Sequence, residues 1–155
     1  RGLPSPRHLG IEGGSNGRLL VGTAFPQRPD LFNAVICSVP LLDMKRYNKL
    51  LAGASWMGEY GNPDLPEEWA YISKYSPYQN LAAGKKYPRV LFTTTTRDDR
   101  VHPGHARKMA AKMEALGYPF YYFENTEGGH GAGVTNEQRA KMIALEHIYL
   151  LKMLK

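Results

Sequence analysis

The chain has 155 residues, one cysteine, a formal charge of +6 and a composition that is 43% hydrophobic and 22% charged. That length suits one domain built on one core. The single cysteine excludes an internal disulfide, no run of about eighteen apolar residues is present to predict a membrane helix, and the lysines and arginines are too scattered to mark a nucleic-acid surface.

Residues 1–8 read as an extended lead-in, with Pro4 and Pro6 opposing helix. They show no signal peptide, so a cytoplasmic location is the expectation. Residues 9–13 predict a short buried strand. A helix is expected from Ser15 to about Gln27, with Leu19, Leu20 and Thr23 on one side and Pro26 and Pro29 closing it. Residues 34–40 form a continuous apolar run, the pattern of a strand covered on both faces in a parallel sheet. Cys37 lies in that run and reads as a buried small hydrophobe. Residues 41–82 are less regular. Leu41 to Ala52 carries helix-like spacing, Glu67 to Ile72 suggests a short helix, and Ser76-Pro77 marks a turn. Residues 88–96 predict a third strand, rich in β-branched residues. Residues 104–116 predict a helix with Met109, Met113 and Leu116 on one face and Gly117 as its C-cap. Residues 118–125 predict an aromatic fourth strand. Thr135 and Gln138 form a capping box for a last helix over 136–153, with Ile143, Leu145, Ile148, Leu151 and Leu154 as its expected apolar face. Strands alternating with helices predict an α/β fold: a parallel sheet flanked by helices.

Chemistry concentrates after three of the strands, where ligands gather in such sheets. Gly13-Gly14-Ser15-Asn16-Gly17 fits G-x-S-x-G, a strand-to-helix turn that lifts a serine hydroxyl clear of the backbone. A serine needs a base to take its proton. Asp98 follows the third strand and His130 follows the fourth, inside a glycine-rich loop. Serine, aspartate, histidine is the chain order of an α/β-hydrolase triad. In that reading Ser15 attacks a carbonyl, His130 shuttles the proton and Asp98 or Asp99 orients the imidazole. Each residue also has an ordinary reading: a Gly-Ser loop, a surface Asp-Arg ion pair and a loop histidine. A metal site at Asp98, Asp99, His102 and His105 is disfavoured, because Pro103-Gly104 interrupts any helix that would align the histidines.

Gly13-Gly14-Ser15-Asn16-Gly17, Gln27-Arg28-Pro29-Asp30-Leu31-Phe32, Asp98-Asp99-Arg100-Val101 and Gly129-His130-Gly131 together resemble the prolyl oligopeptidase family of serine peptidases, over about residues 7–154. The resemblance implies Ser15, Asp98 and His130 as the triad, with Asp99 structural. It implies the backbone N–H of Asn16 as an oxyanion-hole donor, which agrees with its place at a helix N-terminus. It implies Trp56 and Tyr60 as aromatic walls of a proline pocket, and Arg100 as a donor to a substrate carbonyl. The implied reaction is cleavage of short peptides after proline through an acyl-enzyme, with no cofactor. Arg18 departs from the family pattern, which commonly has glycine there. By resemblance residues 1–155 form a single partial α/β-hydrolase domain, the last four of eight strands, without a propeller. Strand 9–13 is then an exposed apolar edge. Homo-oligomerisation, or association of another chain through that edge, is expected. A small carboxylesterase and a non-catalytic interaction module are the alternative functions.

Overall fold

The apolar runs become four strands, β1 (Gly10–Gly13), β2 (Ala34–Ser38), β3 (Val90–Thr95) and β4 (Phe120–Asn125). They pair in the order β1-β2-β3-β4, every pair parallel. The register sets Ile11 beside Val35, Cys37 beside Phe92, and Phe92 beside Tyr122. These coordinates are a computed structural model that describes residues 5–14, 16–131 and 135–155.

Six helices accompany the sheet: α1 (Gly17–Gln27), α2 (Met57–Tyr60), α3 (Pro66–Ile72), α4 (Pro77–Asn80), α5 (Gly104–Ala115) and α6 (Asn136–Met153). One face of the sheet packs on α1 and α5, where Val21 and Phe25 meet Val35, Cys37, Phe92, Met109 and Met113. The opposite face packs on α6, where Ala34, Ile36 and Leu91 meet Tyr149. Cover on both faces explains why β2 and β3 read as continuous apolar runs. A third cluster lies outside the sheet: Leu19, Leu41, Met44, Tyr47 and Ile72 carry the segment that bears Trp56 and Tyr60.

The helix expected over Leu41 to Ala52 is replaced by turns and the 3-10 segments Tyr47–Lys49 and Leu51–Trp56. The backbone N–H groups of Leu42 and Asp43 donate to His105 Nδ1 at 3.4 and 3.0 Å, and that of Met44 donates to Ser76 Oγ at 3.1 Å. Side chains distant in sequence thus satisfy these amides, and Leu51 at φ +49° breaks any continuous helix. Leu20 is solvent-exposed, whereas Leu19, Val21, Gly22 and Phe25 are buried. The inward face of α6 also differs from expectation. Met142 and Tyr149 are buried and Leu150, Met153 and Leu154 pack on the sheet, while Ile143, Ile148 and Leu151 are exposed. Tyr149 decides the rotation: its hydroxyl accepts from Val35 N–H at 2.8 Å and donates to Arg89 O at 2.6 Å.

Candidate active site

β1 ends at Gly13, and Gly14 follows it towards α1. Ser15 lies outside the described residues. Its neighbours show the tight turn that the motif predicts. Gly17 N–H donates to Gly14 O at 2.9 Å. A Cβ on Gly13 would collide with the Gly17 carbonyl and come within 2.7 Å of Val21, so strand and helix approach too closely there for any side chain. Asn16 follows in helical conformation, with φ −60° and ψ −34°, at the N-terminus of α1.

Asp98 and His130 come together across the ends of β3 and β4. His130 Nδ1 lies 2.9 Å from Asp98 Oδ2 and 3.1 Å from Oδ1. The Asp98 side chain is fully buried, and one fifth of His130 reaches solvent. The carboxylate is fixed from behind, because the N–H groups of Arg100 and Val101 both donate to Oδ1, at 2.8 and 2.9 Å. A carboxylate at Nδ1 holds the ring proton there, which leaves Nε2 as the free acceptor of the imidazole. The histidine loop is tied to the same strand end: Thr95 Oγ1 donates to Gly129 O at 3.0 Å.

A cavity of about 210 Å³ opens beside this pair, lined among others by Asn16, Trp56, Glu59, Tyr60, Arg100 and His130. Asn16, Trp56, Tyr60, Arg100 and His130 therefore face one space, with Asp98 behind His130. Tyr60 packs edge-on against the buried Tyr47 with ring centroids 5.8 Å apart. Burial pushes the Tyr60 phenol up to about 12, so this wall is uncharged at neutral pH. Arg100 and Asp99 are exposed.

The four residues of the disfavoured metal reading point to different tasks. His102 Nδ1 accepts from Gly104 N–H at 2.9 Å. His105 is buried against the Leu42 and Asp43 amides. Among the described residues no group of three or more His, Cys, Asp or Glu side chains converges as metal ligands would.

Near the site, Glu59 gave no signal in the sequence, and Arg18 stood out there only as a departure from the family pattern. Glu59 accepts from Asn16 Nδ2 at 2.6 Å, joining the elbow to α2. The Arg18 side chain folds back, with Nη1 3.5 Å from Val39 O and a buried Nε that has no hydrogen-bond partner among the described residues. Burial lowers the pKa of this guanidinium, while the charges of Asp98 and Glu146 oppose the shift. A bulky cation is thus accommodated at the start of α1 by turning towards two carboxylates.

Comparison with known proteins gives a consistent picture. The family model described as "Prolyl oligopeptidase family" matches residues 1–155. A protein of Sinorhizobium fredii named uncharacterized peptidase y4nA is 55% identical over 152 residues, covering 98% of this chain and 21% of that protein. The prolyl endopeptidase of Elizabethkingia meningoseptica is 40% identical over 141 residues, covering 88% of this chain and 20% of that protein. The solved structure of a post-proline cleaving enzyme from Rickettsia typhi superimposes with a TM-score of 0.88 at 44% identity, over 97% of this chain and 22% of that one. The chain thus spans about a fifth of the length of the curated relatives it matches.

Proposed function

Because the chain belongs to the prolyl oligopeptidase family, we propose that it supplies the nucleophile, base and proline pocket of a serine peptidase that cleaves short peptides after proline. The observation that carries this reading is the buried Asp98 locked onto His130 Nδ1 at the mouth of a cavity walled by Trp56 and Tyr60. Asp98 fixes the tautomer, so His130 Nε2 is the atom that takes the Ser15 hydroxyl proton as the oxygen attacks the scissile carbonyl. The tetrahedral oxyanion forms beside the Asn16 amide, where the N-terminus of α1 adds its positive dipole. His130 then returns the proton to the leaving amine, and the C–N bond breaks to leave an acyl group on Ser15. Water attacks that ester with His130 again as base, and the acid product departs. The proline ring lies against the indole of Trp56 with Tyr60 beside it, an apolar slot that a pyrrolidine fills without leaving a polar group unpaired. Arg100 donates to a substrate carbonyl before the proline.

The test uses a fluorophosphonate probe, which needs nucleophile, base and oxyanion donor together. Mass spectrometry is expected to locate one adduct at Ser15, and His130→Ala is expected to slow labelling by a factor on the order of 10³ or more. A folded chain that takes no adduct overturns the reading in favour of a non-catalytic interaction module. Labelling combined with hydrolysis of p-nitrophenyl acetate, but not of a prolyl anilide, would identify an esterase instead.

A further inference from the structure

An open groove of about 410 Å³ lies along α1 next to the cavity beside His130. It is lined by Leu20, Thr23 and Tyr75, together with four residues it shares with the pocket beside His130: Asn16, Leu19, Glu59 and Tyr60. Shared lining makes these four the boundary between the two spaces. Leu19 and Tyr60 belong to the packed cluster beneath, so they form the floor of that boundary. Its upper part is the hydrogen bond from Asn16 Nδ2 to Glu59 Oε1, 2.6 Å long. The bond spans from the elbow to α2, a single turn that cannot shift freely. Tyr71 donates to Tyr60 O at 3.1 Å, Tyr47 donates to Gly61 O, and Gly61 closes the turn at φ +92°.

We infer that the Asn16–Glu59 hydrogen bond is a partition that sets side-chain size selectivity, closing the proline pocket off from the open groove along α1. This rests on the proposed peptidase reading, which it deepens by naming what rejects large residues. A proline ring fits on the Trp56 side of the bridge. A phenylalanine or leucine side chain would have to extend through it, displacing this solvent-exposed, charge-assisted hydrogen bond. Glu59 touches Asn16 by way of its side chain, so it also steadies the residue whose amide faces the reacting carbonyl. It is in that respect a positioning residue.

The experiment compares Glu59→Ala with Glu59→Gln on matched succinyl-peptide anilides ending in proline or phenylalanine. Glu59→Ala joins the pocket to the groove, and the phenylalanine-to-proline ratio of kcat/KM is expected to rise by roughly tenfold or more. Glu59→Gln retains an oxygen that accepts from Asn16, and its ratio is expected to stay within about twofold of the parent. A merely structural role would lower both substrates together in Glu59→Ala. An unchanged ratio in that variant overturns the partition. Binding supplies a readout independent of turnover: the Kd values of N-acyl-prolyl and N-acyl-phenylalanyl acids, followed by Trp56 fluorescence with Trp56→Phe as blank, are expected to move in the same sense. If the parent chain takes no fluorophosphonate the peptidase reading falls. The Kd ratio then decides the partition by itself, and equal Kd ratios in parent and Glu59→Ala overturn it.

Discussion

His105 shows how much a single buried side chain can carry without any motif to announce it. Burial, chiefly, lowers its pKa from 6.5 to about 4; the neighbouring Asp43 charge opposes the shift, and Lys108 and His102 add to it. The geometry agrees, since Nδ1 accepts from two backbone amides and protonation would turn that acceptor into a donor. Above pH 6.5 the imidazole is neutral in both folded and unfolded chains and costs nothing. Between 6.5 and about 4 the unfolded chain takes a proton that the folded one refuses. Stability therefore falls as the pH falls through that window, by roughly 3 kcal/mol once it is crossed. His105→Gln keeps an acceptor for the two amides and is expected to flatten the difference between urea midpoints at pH 7.5 and 4.5. An equally steep dependence in the variant would assign the acid sensitivity to other groups. At this scale legibility was uneven. The pairing of Asp98 with His130 could be read because an aspartate and a histidine follow successive strands in a set order. His105 and Glu59 could not, because their partners are backbone amides and an asparagine far away in the chain.

Among the elements, α6 shows where one-dimensional pattern succeeds and where it stops. Its start was legible: Thr135 Oγ1 accepts from Gln138 N–H at 3.2 Å, and Gln138 Oε1 accepts from Thr135 N–H at 3.4 Å. Thr135→Ala removes the first of these bonds and is expected to cost about 1 kcal/mol in urea unfolding, with Thr135→Ser close to the parent. Equal stability of parent and Thr135→Ala would show that the last helix frays there already. The inward face was not legible, because apolar residues lie around much of the helix and period alone cannot choose between Ile143–Ile148–Leu151 and Met142–Tyr149–Met153. The choice was made by a hydroxyl that satisfies a strand amide and a carbonyl at once. The segment after β2 was misread for a related reason. Its helix-like spacing is real, but Leu51 takes a left-handed φ of +49° and the start of the segment is pinned by His105 and Ser76.

For the whole molecule, the parallel sheet flanked by helices followed from the alternation of elements, whereas the strand order β1-β2-β3-β4 needed the structure, which shows which face each helix covers. β1 is an edge of the sheet among the described residues, and α6 exposes Ile143, Ile148 and Leu151. Unpaired strand edges and exposed apolar faces both favour association. The 155-residue chain is expected to self-associate at tens of micromolar, with a sedimentation coefficient that rises with concentration and falls back in Ile148→Glu/Leu151→Lys. A constant monomer value across that range would remove the idea. The arrangement of the site on the sheet has a separate mechanical consequence. Asp98 and the histidine loop hang from the paired ends of β3 and β4, so their separation is guarded by neighbouring strands and by Thr95. Gly13, at the end of β1, lies two strands from β3 and three from β4, at the edge of the sheet among the described residues. The Asp98–His130 pair and the carboxyl end of β1 thus sit on different strands of the sheet. Whatever pairs with β1 along its open edge is therefore expected to shift the Gly13–Gly14 strand end relative to the Asp98–His130 pair without touching either side chain.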